Sequence, residues 1–145
     1  MELVVVIAIV AVLSIVAFSR TQTFATRGFY DRLLAQVSYA RKAAVGQRRA
    51  ICVYLAADQS RLFYPDAGGT CPVAPGTGVR GPDGAAPFTV AVPAGTTVDV
   101  ATFQFNGEGN YLLAHGTAAA AALAINLSGD DAFQITIEPV TGYVR

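Results

Sequence analysis

The sequence has few of the residues that build catalytic and metal centres. It contains two cysteines and one histidine among 145 residues. Two cysteines cannot supply the ligands of a structural zinc site unless others join them, and His115 lies in a stretch without nearby metal-ligating side chains. No serine, histidine and aspartate set, and no cysteine and histidine pair, is arranged for nucleophilic catalysis. We therefore expect no enzyme activity, no metal and no cofactor.

Charge is also scarce, and it is unevenly distributed. Charged residues make up 14% of the chain, and ten basic residues balance ten acidic ones. Residues 20–49 hold seven basic side chains against Asp31 alone, whereas residues 50–145 hold three basic side chains against eight acidic ones. This division predicts a basic connecting helix and an acidic head.

Charge is missing altogether from Leu3 to Phe18, a run of sixteen residues. As a helix this run rises about 24 Å. Spanning a bilayer core usually takes ~20 apolar residues, so the run is a few residues short of that length. We predict a membrane anchor. Its residues are Leu3, Val4, Val5, Val6, Ile7, Ile9, Val12, Leu13, Ile15 and Phe18. Glu2 contradicts the basic start of a secretory signal peptide. An ordinary single-span anchor remains an alternative.

Glu2 lies at the head of this apolar run. A carboxylate there costs on the order of a few kcal/mol unless it is neutralised or lies near the membrane interface, so a partner is expected. Residues 2–13, Glu-Leu-Val-Val-Val-Ile-Ala-Ile-Val-Ala-Val-Leu, resemble the N-terminal helix of type IV pilins and type II secretion pseudopilins. The resemblance implies that Glu2 pairs with the N-terminal amine of a neighbouring subunit during assembly into a filament.

The same resemblance implies further partners and a location. Mature chains of that family open Phe-Thr-Leu-(hydrophobic)-Glu after cleavage by prepilin peptidase. If Met1 is the residue before the glutamate, this chain begins about four residues inside the mature protein, and restoring them gives the spanning length. Implied partners are other pilins or pseudopilins, an inner-membrane assembly platform, prepilin peptidase and membrane lipid. The implied location is a single pass through the inner membrane with a periplasmic head, followed by the filament.

Residues 1–49 are predicted to form this transmembrane and assembly helix, with a bend near 26–28 because Gly28 weakens it. Beyond the bend, an apolar stripe recurs at three- and four-residue steps, with Gln36 largely off it. Its members are Tyr30, Leu33, Leu34, Val37, Ala40, Ala44 and Val45. The basic side chains of this helix have two interpretations. They form a solvated surface, or they meet acidic groups of adjacent subunits or anionic phospholipid.

Residues 50–145 are predicted to form a β-rich globular head. Alternation of apolar and polar residues predicts a hairpin first and further strands later, with a long surface loop at 65–87 between them. The expected strands are 51–55, 62–64, 88–92, 102–105, 111–113, 123–127, 133–137 and 142–145. The alanine run at 118–122 is expected to be a loop leading into a strand. The fold class is α+β, a long hydrophobic helix packed on an antiparallel sheet.

Three later segments resemble the GspH/FimT group of minor pseudopilins. They are the helix segment 39–45, with its Ala-Arg-x-x-Ala pattern, the strand and turn at 102–109, and the closing hairpin at 139–145. Residues 26–31 are similar to MSHA-type minor pilins. These resemblances imply a structural subunit of a type IV pilus or a type II secretion filament.

Cys52 and Cys71 are the remaining candidates for a structural link. Their spacing closes a loop of about twenty residues, for which a disulfide contributes ~3 kcal/mol in the chain-entropy model. Disulfides persist in oxidising compartments such as the periplasm. Two unpaired thiols are the alternative.

DNA binding is the alternative function. Some members of this branch bind DNA during natural transformation through a C-terminal Gly-Arg-x-Arg motif. Here the motif reads Gly142-Tyr143-Val144-Arg145, so a tyrosine replaces the first arginine. Tyr143 and Arg145 are the candidate DNA contacts, by stacking and by phosphate pairing. The acidic head opposes this function.

Three other motifs carry little information. Residues 76–81 match Gly-x-Gly-x-x-Gly, but the surrounding prolines and glycines exclude the strand and helix that a dinucleotide site needs. Asn126-Leu127-Ser128 is a glycosylation sequon that matters only in a secretory host. Asp130 and Asp131 are expected to be solvated carboxylates in a turn.

Overall fold

A long N-terminal helix begins the fold. The computed structural model describes the backbone of residues 2–72 and 76–145, with the side chains of Val6, Ile7 and residues 24 onward within these ranges. Helix α1 spans Glu2–Gln47, 46 residues, and is not unwound at Gly28. At ~1.5 Å per residue it extends about 69 Å, more than twice the ~30 Å diameter of a small domain. Its N-terminal part must therefore project beyond the head. The bend near 26–28 stays a prediction.

No helix among the described residues combines the length and the mean hydropathy needed to cross a membrane.

One face of α1 packs on the head. Its buried side chains follow three- and four-residue steps and are Thr26, Phe29, Leu33, Gln36, Val37, Ala40 and Ala44. The predicted stripe is confirmed at Leu33, Val37, Ala40 and Ala44, with Tyr30 and Leu34 half-buried at its border. It is wrong for Val45, which is 45% exposed because the buried stripe ends on the side of Ala44.

The prediction was also wrong for Gln36, which is fully buried. Its Nε2 donates a hydrogen bond to the main-chain oxygen of Phe88 at 2.9 Å, and a longer one to that of Ser60 at 3.4 Å. A buried amide is tolerated when it is hydrogen-bonded, and strand carbonyls beneath the helix supply the acceptors. Periodicity alone could not reveal those acceptors.

Eight strands form the rest of the head. They are β1 Ile51–Leu55, β2 Gln59–Phe63, β3 Thr89–Ala91, β4 Thr97–Val98, β5 Ala101–Phe105, β6 Tyr111–Leu113, β7 Leu123–Ser128 and β8 Ala132–Ile137. A five-stranded sheet has the order β3-β2-β1-β5-β6, and a three-stranded sheet has the order β4-β7-β8. The pairs between neighbouring strands are antiparallel, as predicted.

Most predicted strands are confirmed with small shifts of their ends. The two-residue strand β4 was missed, because it is too short to show alternation. The predicted strand at 142–145 is reduced to one bridge between Ile137 and Val144, with paired hydrogen bonds between Thr136 and Arg145. The alanine run contains no helix, and Ala118 bridges to Leu112.

The two sheets and α1 share one core. Ile125, Leu127, Ile135 and Ile137 of the three-stranded sheet are fully buried in the same cluster as Leu33 of α1. At the border of this core the rings of Tyr30 and Phe133 stack with their centres 5.1 Å apart. Core burial of this extent is the main term that stabilises a domain of this size.

The five-stranded sheet is covered on both faces. Ile51, Val53 and Leu55 of β1 join the core beneath α1, whereas Cys52 faces the other side, with Gln104 opposite it on β5. We call these the helix face and the loop face. Four of the five residues of β1 are fully buried because both faces are occupied.

The loop face is covered by the loop that follows β2. Cys71 in that loop forms a disulfide with Cys52, which confirms the predicted pairing. Phe63 packs beside the two sulfurs in a small buried cluster. Gln104 is also buried there, and its Nε2 donates to the main-chain oxygen of Gly69 at 2.9 Å. The disulfide and the side-chain amide of Gln104 thus both help to hold the loop on the sheet.

Candidate functional site

The face of α1 opposite the core is open to solvent. Its exposed side chains are Phe24, Arg27, Asp31, Arg32, Ala35, Lys42 and Val45. Phe24 is 75% exposed, which is unusual for a phenylalanine. A Cβ added at Gly28 or Gly46 would meet no other atom, so the surface is smooth at these points. Another helix could approach this outer face of α1 closely.

Cations dominate the outer face. Arg27, Arg32 and Lys42 lie on it, and Arg48 follows the last residue of α1. All four are exposed, and none forms an ion pair with a described residue. Arg41 and Arg49 differ, because each contacts a residue of the head of the same chain. The Nε of Arg41 donates to the main-chain oxygen of Gly109 at 3.3 Å, and the guanidinium of Arg49 lies 4.0 Å from the ring centre of Tyr64.

A groove runs between α1 and the edge strand β3. It consists of two adjoining cavities of about 280 and 310 Å³, which share Arg32 and Ala91 in their walls. Phe24 lines the end nearer the N-terminus, and Phe88 lines the other end. Strand β3 is the outer strand of its sheet, so its far side pairs with no strand within the described parts of the chain. No sequence pattern indicates this groove, because it depends on how β3 lies beside the helix.

Among the described side chains of α1, Thr26 is the first that is buried against the head. The hydroxyl oxygens of Thr26 and Thr96 lie 3.0 Å apart and share a buried hydrogen bond. Gly129, in the turn between β7 and β8, lies so close to Thr26 that a Cβ would collide with its hydroxyl. This packing fixes the point where the projecting N-terminal part of α1 leaves the head.

The predicted assembly and anchor residues lie on that projecting part. Val6 and Ile7 are 58% and 60% exposed. The side chain of Glu2 lies outside the described residues. So do those of the other anchor residues, namely Leu3, Val4, Val5, Ile9, Val12, Leu13, Ile15 and Phe18. The roles of Glu2 and of the anchor therefore stay predictions.

The two candidate DNA contacts lie in the C-terminal segment. Tyr143 is 56% exposed. Arg145 forms an ion pair with Glu138, with Nη2 and Oε1 3.0 Å apart, and both side chains are partly solvent-exposed. A phosphate would have to compete with that carboxylate for the guanidinium. The C-terminal segment thus offers DNA one exposed ring, that of Tyr143, and one cation that is already paired, Arg145.

The remaining sequence motifs are dispersed. His115 lies in the turn after β6, where its Nε2 is 2.9 Å from the hydroxyl oxygen of Thr117. Asp130 and Asp131 lie in the turn between β7 and β8, as predicted. Asn126 is on β7, and its side chain bonds to Asp99 and Gln134. Among the residues that the structure describes, no three histidine, cysteine, aspartate or glutamate side chains converge on one point.

Comparison with known proteins identifies the fold. No protein-family model matches the sequence, and no curated protein matches it either. Two solved structures do match, both crystal structures of the type IV minor pilin FimU of Pseudomonas aeruginosa strain PAO1. Each aligns with a TM-score of 0.58 and 17% identity over 82% of this chain, and the alignments cover 85% and 90% of the FimU chains. The chain therefore has a type IV pilin-like α+β fold.

Proposed function

We propose that this chain is a structural subunit of a type IV pilin-like filament, a minor pilin or a pseudopilin, and that it assembles through its N-terminal helix. One observation supports this most strongly. A single 46-residue helix is packed on an antiparallel head from Thr26 onward and projects beyond it, in a fold shared with a type IV minor pilin. The N-terminal half of α1 extends beyond the head, so its surface is available for contacts with other subunits.

The projecting part supplies the assembly chemistry. The apolar run from Leu3 to Phe18 would lie in the inner membrane before assembly and among neighbouring helices afterwards. Glu2 would meet the N-terminal amine of a neighbour inside this apolar bundle. Pairing is favoured there because a charge buried alone is strongly destabilising, and an opposite charge offsets part of that cost. The pairing thus sets the axial position of one helix against the next.

The disulfide supports a periplasmic position for the head. Cys52 and Cys71 are joined, and disulfides persist where thiols are not kept reduced. The implied partners of such a subunit are prepilin peptidase, the inner-membrane assembly platform, membrane lipid and other pilins or pseudopilins. No cofactor is required, because the work of the chain is to occupy a position in a filament.

Substitution of Glu2 tests the proposal. We expect Glu2→Ala to remain in the membrane fraction but to disappear from filaments sheared from the cell surface, since the buried amine of the neighbour loses its partner. Glu2→Asp is the matched control and should retain part of the incorporation. Normal filament entry of Glu2→Ala would refute the pairing. Failure of the unaltered chain to enter any filament would refute the proposed function itself.

A second experiment distinguishes a pilus subunit from a subunit of a secretion filament. Deletion of the gene should abolish surface pili if the chain is a minor pilin, and should block export of secreted proteins without affecting pili if it is a pseudopilin. Retention of both activities would contradict either assignment.

DNA uptake is the second candidate, supported by the exposure of Tyr143. The Arg145–Glu138 ion pair and the acidic head oppose it, because neutralising phosphates requires several free cations. A gel shift of the full chain in detergent, at low and moderate salt, decides the matter. A shift lost in Tyr143→Ala would favour uptake, and no shift at low salt would remove this candidate.

A further inference from the structure

Strand β3 presents unpaired main-chain groups beside the groove. At its two ends, the oxygen of Phe88 and the amide of Val92 bond to main-chain groups of the hairpin formed by β1 and β2. Alternate residues of an antiparallel strand direct their main-chain groups to opposite sides, so Thr89 and Ala91 direct theirs away from β2. These groups bond to no other strand within the described parts of the chain. The edge therefore offers the amides and carbonyl oxygens of these two residues to an added strand.

Two prolines limit the length of this open edge. Pro87 and Pro93 lie just beyond the two ends of β3, and proline has no main-chain amide to donate. A long strand, or the sheet of a second copy, would find only Thr89 and Ala91 to pair with. Proline on an edge strand is one of the features that prevent sheets from joining edge to edge. The edge is therefore suited to an extended segment of about three to five residues.

A short strand added to β3 directs alternate side chains into the groove. Val90 faces the core beneath α1, and residues directly opposite each other in an antiparallel pair point to the same face of the sheet. The partner residue opposite Val90, and the one two positions before it, thus point towards α1. The larger cavity lies beside Val90 and the smaller one beside Pro93. Each of these two side chains therefore has a cavity to enter.

The charge of the groove comes from Arg32. Its side chain belongs to the walls of both cavities and is the only charged one among the described residues that line them. Arg32 is exposed and forms no ion pair with a described residue. The charged residues that flank the groove on α1 and on the hairpin line neither cavity and are Arg27, Asp31, Asp58 and Arg61. The groove thus combines largely apolar walls with one cation at its centre.

We propose that this groove binds a short extended segment of another protein, with the pattern apolar, any residue, acidic, which adds to β3 as an antiparallel strand. The apolar side chain enters the smaller cavity, against Gly28 and Phe29, and the carboxylate two residues later pairs with Arg32. Main-chain bonds to Thr89 and Ala91 give affinity, and the two side chains give specificity. This inference goes beyond the proposed function, which assigns no occupant to the groove.

Binding of a labelled peptide tests the proposal. The probe is Ser-Thr-Leu-Thr-Glu-Thr-Ser, with fluorescein at its amino end and an amide at its carboxyl end, and the protein is the full chain in detergent. We expect a saturable rise in fluorescence anisotropy. Methylating the main-chain nitrogens of the two threonines beside the glutamate should abolish binding, because these amides face β3. Methylating the nitrogen of the glutamate, which faces away from β3, should be tolerated.

Two glycines of α1 provide matched variants. Gly28 lines the smaller cavity and Gly46 lines neither, and a Cβ added at either position would meet no other atom. Both variants should fold, since leucine favours a helix more than glycine does. Gly28→Leu should weaken peptide binding by about tenfold, because the new side chain occupies the place of the peptide's leucine. Gly46→Leu should bind the peptide as the unaltered chain does.

The ion pair is tested by changing both of its partners. A peptide with glutamine in place of the glutamate should bind the unaltered chain about tenfold more weakly, since a charge-assisted hydrogen bond is lost. Arg32→Gln should bind the glutamate and glutamine peptides with equal affinity. If Arg32→Gln still prefers the glutamate peptide by the same factor, the carboxylate does not pair with Arg32, and the proposed pattern is wrong.

The remaining outcomes assign the groove to something else. Absence of saturable peptide binding, or binding that Gly28→Leu leaves unchanged, would overturn the proposal. A dimer of the chain that forms in place of peptide binding and is lost in Gly28→Leu would assign the groove to a second copy. Displacement of the peptide by phosphatidylglycerol, but not by phosphatidylcholine, would assign it to anionic lipid. These measurements leave the proposed function untouched, because filament entry is tested separately through Glu2→Ala.

Discussion

The two faces of the five-stranded sheet are covered in different ways. On the helix face, α1 contributes a continuous apolar stripe that joins both sheets in one core. On the loop face, a segment rich in glycine and proline contributes few apolar side chains, and a disulfide with a small cluster around Phe63 holds it. A helix can bury many residues at regular spacing, whereas a loop of this composition cannot. The covalent bond replaces packing where packing is not available.

Truncating the helix face should have the largest effect. Leu33 is fully buried, and Leu33→Ala should lower the free energy of unfolding by about 2–5 kcal/mol through lost transfer energy and a residual cavity. The neighbouring Leu34 is half-buried, so Leu34→Ala should cost clearly less. Denaturant unfolding of both variants measures the difference. Equal losses would mean that the stripe does not dominate the core.

Breaking the disulfide should come next. Removing the bond between Cys52 and Cys71, which are 19 residues apart, should cost about 3 kcal/mol by freeing the unfolded chain. Thermal unfolding with and without reductant measures this cost, and the double variant Cys52→Ser, Cys71→Ser should show no further response to reductant. If reductant leaves the melting temperature unchanged, the disulfide does not stabilise the loop face.

The buried glutamines sharpen the comparison, because one lies on each face. Gln104 donates to Gly69 in the loop, whereas Gln36 donates to Phe88, whose oxygen already accepts from the amide of Leu62. Gln104→Leu should therefore cost about 1–3 kcal/mol by leaving a loop carbonyl without its donor. Gln36→Leu should cost less than about 1 kcal/mol, since it also removes the buried Oε1, which has no hydrogen-bond partner among the described residues. The reverse order would contradict the assigned roles.

High pH should produce the smallest effect, through Tyr111 on the helix face. Burial raises the pKa of Tyr111, which packs against Phe103. Above pH ~10 the unfolded chain loses the tyrosine proton before the folded chain does, so stability should fall as pH rises through that range. Comparison with Tyr111→Phe, which should show a smaller decline, isolates this residue. Parallel declines in both proteins would assign the effect to other groups.

Much of the helix face could be predicted from the sequence because its signals are periodic. The three- and four-residue spacing from Leu33 to Ala44 located the buried side of α1, and alternation located most strands. The division into two sheets was not predicted, since Thr97–Val98 is too short to show a pattern. Gln36 was misplaced because the acceptors for its amide come from residues far along the chain.

Less of the candidate site could be predicted. The uneven charge was visible in the sequence, and so was the pairing of Cys52 with Cys71. The groove beside β3 was not, because α1 and β3 are separated by tens of positions and lie together only in the fold. Properties of single segments could be predicted from the sequence. Properties that arise from the arrangement of several segments could be seen only in the folded structure.

The self-contained turn at 81–85 has a practical consequence. The amide of Gly81 donates to the oxygen of Ala85 and the amide of Gly84 to that of Gly81, so the turn closes on itself, and residues 82–86 are exposed. Chain inserted at such a tip breaks no core contact. A short epitope or fluorophore-binding sequence placed between Pro82 and Asp83 would let this chain be followed in living cells while its buried core stays intact.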